Sequence, residues 1–219
     1  MNGTLKRNSE WQEARAIVEA AGLPAYYKPP AKSWDALRAC NYILSNASRS
    51  HPVLDVGGVP NYSFISTWLA HYGFQVDVIN PAFTNDLFEA GGKIRYLRGD
   101  ATRCASEDRH FGAVTCLSVI EHGLPLEAFF REMHRVLIPG GYLMVSTDFW
   151  HEAVDTGNRV AFGVPVRIFM PRDIREIVLL AIECGFQPTG LIDFRCVETT
   201  VQWLGLDYTF IDFGLRRLR

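Results

Sequence analysis

Cysteine is sparse and unpaired in this chain: Cys40, Cys104, Cys116, Cys184 and Cys196 are odd in number, far apart and form no Cys-x-x-Cys pair. That pattern argues against a disulfide framework and against a zinc site, so no metal is expected. No run approaches the ~20 apolar residues of a membrane span. The segment Met1 to Glu10 lacks the apolar stretch of a secretory signal, and a cytoplasmic protein is expected. An excess of one charge is missing as well, since 22 Lys and Arg face 24 Asp and Glu. Nothing electrostatic therefore suggests nucleic acid or an anionic membrane as a partner. The basic end Leu215-Arg216-Arg217-Leu218-Arg219 reads as a solvated terminus. Internal repeats and low-complexity tracts are absent too.

What remains is an ordinary globular composition, 48% hydrophobic and 21% charged over 219 residues, enough for one large domain with a small appendage. The first fifty residues read as a helical preface. Ser9 to Ala21 predicts a helix with Ser9 as its N-cap and Gly22 past its end, and Ser33 to Asn46 predicts a second. The proline-bearing segment from Gly22 to Lys32 connects them. Residues 51–219 then alternate between strands and helices. Strands are expected at Pro52–Val56, Phe74–Ile79, Ile94–Leu97, Gly112–Ser118 and Tyr142–Ser146. Helices are expected at Tyr62–Tyr72, around Asn85–Ala90, from Pro125 onward, and at Pro171–Cys184. The apolar stripe Leu126, Phe129, Phe130, Met133 and Leu137 carries the Pro125 helix, and Pro139-Gly140-Gly141 should end it. Two final runs, Thr189–Val197 and Tyr208–Leu215, have no full helix between them and suggest an antiparallel hairpin. The expected fold is α/β: a Rossmann-like, doubly wound, mostly parallel sheet covered on both faces.

Ligands of such sheets bind beyond the C-terminal ends of the strands. The richest stretch is Val53-Leu54-Asp55-Val56-Gly57-Gly58-Val59-Pro60-Asn61, a buried strand carrying an acid and followed by a glycine pair that opens a helix. Such a turn brings backbone close to a ligand and offers unpaired N–H groups. At the other tips stand Asn80, Asp100 with Ala101, Ser118-Val119-Ile120-Glu121-His122, and Thr147-Asp148-Phe149-Trp150-His151. An adenosine-containing ligand needs a hydroxyl-binding group near strand two and an acceptor for the adenine amine near strand three. Asn80 and Asp100 suit those roles.

Taken in order, Leu-Asp-Val-Gly-Gly, Gly99-Asp100-Ala101, Ser118-Val119-Ile120-Glu121-His122 and Leu137-Ile138-Pro139-Gly140-Gly141-Tyr142-Leu143 resemble class I S-adenosylmethionine-dependent methyltransferases over about residues 51–219. The terminal hairpin fits the seven-stranded sheet of that fold. The block from Tyr142 through Phe149-Trp150, with Asp155-Thr156-Gly157 and Ala161-Phe162-Gly163 following, is similar to small-molecule or glycan-modifying members. The resemblance implies S-adenosylmethionine as cofactor and S-adenosylhomocysteine as product. It implies Gly57 and Gly58 beside the methionine half, Asp55 organising the loop, and Asp100 and Ala101 at the adenine. Ser118 and Val119 would pass the sulfonium, and His122 would lie at the rim of the acceptor pocket. Three departures stand out. Val59 and Asn61 replace loop glycines, with Asn61 a candidate N-cap for the next helix. Asn80 replaces a ribose-binding carboxylate. Phe111-Gly112 replaces Phe-Asp before strand four.

Methyl transfer is an in-line displacement that depends on alignment. An oxygen acceptor also needs a base, for which His122 is the first candidate; Asp148 and His151 could orient the acceptor or serve instead. His134 is expected to be solvated, and Tyr26, Tyr27 and Trp34 could form a lid or simply pack on the sheet. A small-molecule or sugar/glycan oxygen is the expected acceptor. The competing expectation is a degenerate, cofactor-binding or partner-binding subunit, given the irregular loop and Asn80.

Overall fold

The computed structural model describes residues 1–84 and 87–219. Its central sheet runs β5 (Ile94–Arg98), β3 (Val76–Asn80), β2 (Val53–Val56), β6 (Phe111–Leu117), β7 (Leu137–Phe149), β12 (Leu206–Arg217), with β10 (Phe186–Pro188) beyond β12. The first five are mutually parallel, while β12 is antiparallel to both β7 and β10. These seven form the expected sheet. Three further strands extend it: β1 (Gly3–Thr4) and β11 (Val201–Trp203) pair with β12, and β4 (Leu87–Ala90) pairs antiparallel with β5.

Alternation along each strand sorts side chains onto two faces. Leu54, Val56, Val114 and Cys116 join the core under α4 (Leu126–Val136) and α5 (Pro171–Glu183), with Phe129, Phe130, Ile174 and Ile177. Val53, Val76, Val78 and Ala113 join the opposite core under α1 (Asn8–Ala20), α2 (Lys32–Asn46) and α3 (Ile65–His71), with Val18, Ile43 and Trp68. Each fully buried aromatic or aliphatic side chain here is worth roughly 1.5–3 kcal/mol.

Several expectations need correction. Leu87–Ala90 is a strand rather than a helix, because its backbone completes the edge of β5; residues 85 and 86 lie outside the described residues. Thr189–Val197 is mostly irregular: its backbone meets the sheet in an isolated bridge between Gly3 and Asp193, so the terminal hairpin is β11–β12 instead. Strand β7 starts directly after α4, at Leu137, and the Pro-Gly-Gly step is absorbed where the β6–β7 register shifts. Ser9 lies inside α1, which begins at Asn8. Asn61 sits in a left-handed turn (φ 62°) and α3 begins later, at Ile65. The Tyr26 hydroxyl takes over the capping, accepting from the backbone N–H of Phe64 (2.9 Å) and Ile65 (3.2 Å). Tyr26 and Trp34 are buried in the core, whereas Tyr27 is exposed. His134 is half-buried, its ring edge-on to Phe186.

The preface is sewn onto the sheet by one buried carboxylate. Asp212 on β12 accepts from the N–H groups of Asn2 (2.9 Å) and Gly3 (3.1 Å) and from Arg38 Nε of α2 (2.6 Å). Removing it leaves two backbone donors and a guanidinium without their partner. Asp212→Ala should lower stability by about 3 kcal/mol in urea denaturation. A loss under about 1 kcal/mol would show that β1 and α2 hold without this tie.

Candidate active site

The tip of β2 is built around Asp55. Its Oδ1 accepts from Thr115 Oγ1 on the neighbouring strand (2.7 Å), while Oδ2 is buried without a hydrogen-bond partner among the described residues. Burial raises this carboxyl to about 7, against the opposing effects of the Thr115 bond and Lys32. The glycine pair follows from packing. Gly57 has φ +81°, and a Cβ there would come within 2.6 Å of Val119 Cγ2. At Gly58 a Cβ would come within 2.5 Å of Asp55 Oδ2 and 2.6 Å of Val78 Cγ1. Backbone thus passes directly over the acid because neither residue has a side chain. Asn80, at the tip of β3, turns its amide inward to donate to the carbonyls of Gly57 (3.2 Å) and Gly58 (3.3 Å). Its Oδ1 accepts from Ala82 N–H (2.9 Å). Asn80 therefore braces the loop, and it must exchange these bonds to meet a ligand.

At the tip of β6, Ser118 adopts a left-handed conformation (φ 54°) and its N–H bonds to the Ser146 carbonyl at 3.0 Å. Ser118 Oγ accepts from Lys32 Nζ (2.9 Å). Glu121 is buried; Oε2 accepts from Thr147 Oγ1 (3.0 Å) and Oε1 has no hydrogen-bond partner among the described residues. Burial raises it to about 7. His122 is half-buried with Nδ1 enclosed and partnerless, and burial followed by the Lys32 charge lowers its pKa below 6.5. Its ring lies edge-on to Phe162, centroids 4.8 Å apart.

Asp148 is buried beneath this rim, beside Tyr208 of β12. Burial and the nearby Glu121 charge hold it well above the usual carboxylate range. At 4% exposed it is far less open than His151, the other group expected to orient the acceptor or serve as base. His151 lies past the strand end, 45% exposed, with Nε2 3.7 Å from Glu152. Asp100 is exposed at the end of β5 and binds the N–H and hydroxyl of Thr102 through Oδ1, each at 2.8 Å; Ala101 beside it is buried.

Lys32, Asp35 and Tyr208 are absent from the sequence reading. Lys32 and Asp35 form a buried ion pair in the first turn of α2, and Asp35 also accepts from Ser146 Oγ. The Lys32 ammonium lies 4.8 Å from the Phe210 ring centroid. A charged pair three residues apart just after a proline connector was the available signal, but surface helix starts carry the same pattern. Tyr208 opens the run Tyr208–Leu215, which reads only as one strand of the terminal hairpin.

Comparison with known proteins bears on this geometry. Residues 54–145 match the family model for a methyltransferase domain. The architecture matches that of solved structures described as S-adenosylmethionine-dependent methyltransferases, a likeness of fold. Among curated relatives, the sterol 24-C-methyltransferase of Candida albicans is 28% identical over 117 residues, 51% of this chain and 31% of that protein. The ubiquinone biosynthesis O-methyltransferase of Azorhizobium caulinodans is 30% identical over 101 residues, 43% of this chain and 39% of that one. The chain thus spans about a third of the length of the curated relatives it matches. The crystal structure of the cyclase SpnF superposes with a TM-score of 0.61 at 14% identity, covering 96% of each chain. That last likeness concerns the fold alone.

The raised carboxyls set a pH dependence. Between about 4 and 7 the folded protein keeps a proton on Glu121 that the unfolded chain has released, so this group costs stability progressively as pH rises through that window. Glu121→Gln should therefore gain stability relative to the parent from pH 5 to pH 8 in urea denaturation, and a difference independent of pH would refute the buried, proton-holding state.

Proposed function

We propose that this chain transfers a methyl group from S-adenosylmethionine to a hydroxyl oxygen of a small-molecule acceptor. The observation that carries the reading is the set of buried, partnerless polar atoms at the adjacent tips of β2 and β6: Asp55 Oδ2, Glu121 Oε1 and His122 Nδ1, beside the tightly packed Gly57-Gly58 turn. Buried polar atoms left without a partner are rare and each costs about 1–3 kcal/mol, which a ligand can offset.

The residues fit the cofactor. Gly57 and Gly58 would lie along its methionine half, Asp100 and Ala101 at its adenine, and Ser118 and Val119 near its sulfur. Asn80 would meet the ribose after releasing the loop carbonyls. When bound, the cofactor supplies a methyl group on a cationic sulfur. The carboxyls of Asp55 and Glu121, raised to about 7 by burial, would ionise more readily beside that cation. His122, neutral at physiological pH, takes the acceptor's hydroxyl proton at an imidazole nitrogen. Asp148 acts through Tyr208 as a positioning group rather than as base. The N-terminal residues 1–50 cover this end of the sheet as part of the same site, through Lys32. Carbon and oxygen methylation both occur among the curated relatives; a neutral histidine suited to deprotonating a hydroxyl supports oxygen.

A cofactor-binding but non-methylating role is the second reading, favoured by the engagement of Asn80 with the loop carbonyls. Calorimetry with S-adenosylmethionine and S-adenosylhomocysteine, followed by methyl-transfer assays over hydroxylated small molecules, separates the two. His122→Ala should cut kcat roughly 100-fold or more with cofactor affinity unchanged. In the parent, kcat/KM should fall on the acid side with an apparent pKa below 6.5. Failure of both cofactor forms to bind at millimolar concentration would sink the methyltransferase reading.

A further inference from the structure

Phe162 stands at the turn of a small hairpin formed by β8 (Val160–Ala161) and β9 (Val164–Pro165). It is 82% exposed, yet it holds a left-handed backbone conformation, φ +53°, followed by Gly163 at φ +83°. For stability alone this is an unfavourable choice: glycine or asparagine would occupy the position with less steric cost and without presenting a phenyl ring to water. The ring edge rests against His122, and a Cβ on Gly123 would lie 3.4 Å from Val164 Cγ1, so the hairpin closes on the segment that carries the histidine. The hairpin is anchored from behind. Val166 N–H bonds the Arg159 carbonyl (2.9 Å), and Arg159 Nε donates to the Leu204 carbonyl in the β11–β12 turn (2.8 Å). Val160 and Leu204 on these two turns are also exposed.

We propose that Phe162 is a specificity-determining residue that packs the apolar part of the acceptor beside its reacting hydroxyl. The expected acceptor class is therefore a phenol or an alcohol with an adjoining hydrocarbon or aromatic group, rather than a sugar. This rests on the reading of His122 as the group that faces the acceptor. A flat aromatic side chain supplies contact area at little entropic cost, and the left-handed backbone at its base fixes its direction. Val160 and Leu204 continue the apolar rim for a longer substituent. A macromolecular partner is a poorer fit, because the exposed apolar side chains here are single residues on a small hairpin and a neighbouring turn.

The test uses the full chain with labelled histidines, following the imidazole nitrogen resonances of His122 by NMR while titrating para-butylphenol or methyl glucoside, with no cofactor product present. The phenol should move the His122 resonances saturably and the glucoside should not. Phe162→Ala should weaken the phenol roughly three- to tenfold, the range expected for losing one aromatic contact, and Phe162→Leu should recover most of it. Because Phe162 is so exposed, the alanine variant should melt with the parent, which a thermal scan confirms before titration. No phenol binding to the parent, equal binding of the glucoside, or unchanged affinity in Phe162→Ala would each overturn the proposal. A separate calorimetric titration with S-adenosylhomocysteine judges the methyl-transfer reading alone, so the two can fail independently.

Discussion

One ammonium group organises the functional end of this protein. Lys32 Nζ is paired with Asp35, donates to Ser118, and acts electrostatically on Asp55, Glu121, His122 and Asp148. Four carboxyl groups around a single cation cannot all be ionised in a region shut off from water, where each unpaired charge costs several kcal/mol. Protons solve the problem: Asp55 and Glu121 are raised to about 7 and Asp148 is held well above the usual carboxylate range, with burial the leading cause in each. Burial, with the Lys32 charge added, lowers the pKa of His122. The protonation states on which the proposed chemistry depends thus follow from burial at this end of the sheet, with the ammonium of α2 opposing it at the carboxyls and adding to it at the histidine.

That placement depends on the preface being built into the sheet. Asp212 draws β1 and Arg38 onto β12, and Tyr26 caps α3 through its hydroxyl. The segments before residue 51 therefore meet the strand ends: Lys32 bonds Ser118 at the tip of β6 and Asp35 bonds Ser146 of β7. The loop shows the same economy. Gly57 and Gly58 are required by Val119, Val78 and Asp55 before any ligand is considered, and Asn80 fastens their carbonyls. A loop that is already packed and hydrogen-bonded loses less freedom when a ligand arrives, although Asn80 must change partners.

Much of the architecture could be read from pattern. Runs such as Val76–Asn80 and Phe111–Leu117 declare buried strands because both faces of the sheet are covered, and the Phe129, Phe130, Met133 stripe declares a helix because apolar residues recur each turn. The misses share a cause. Leu87–Ala90 pairs at a sheet edge against its local preference, and Thr189–Val197 stays irregular because it meets the sheet at only an isolated bridge; both outcomes are set by tertiary pairing rather than local pattern. Asn61 was the natural cap by residue type, but a tyrosine 39 residues before Ile65 supplies the oxygen instead.

For the site, strand tips could be located because a parallel sheet puts every loop after a strand at the same end; Asp55, Asp100, Ser118 and His122 were therefore available from order alone. What order cannot supply is the distance between a side chain and groups far along the chain. Lys32 meets Ser118 across 86 residues and Asp35 meets Ser146 across 111, and only folding creates those contacts. The exposure of His151, the burial of Asp148 against Tyr208 and the contact of Phe162 with His122 are decided in the same way. Periodicity determined most of the central strands and helices, because it is a local property of the backbone; several of their ends were set by packing instead. Charge state and accessibility came from the tertiary structure, because both depend on what is packed nearby and how much water is removed.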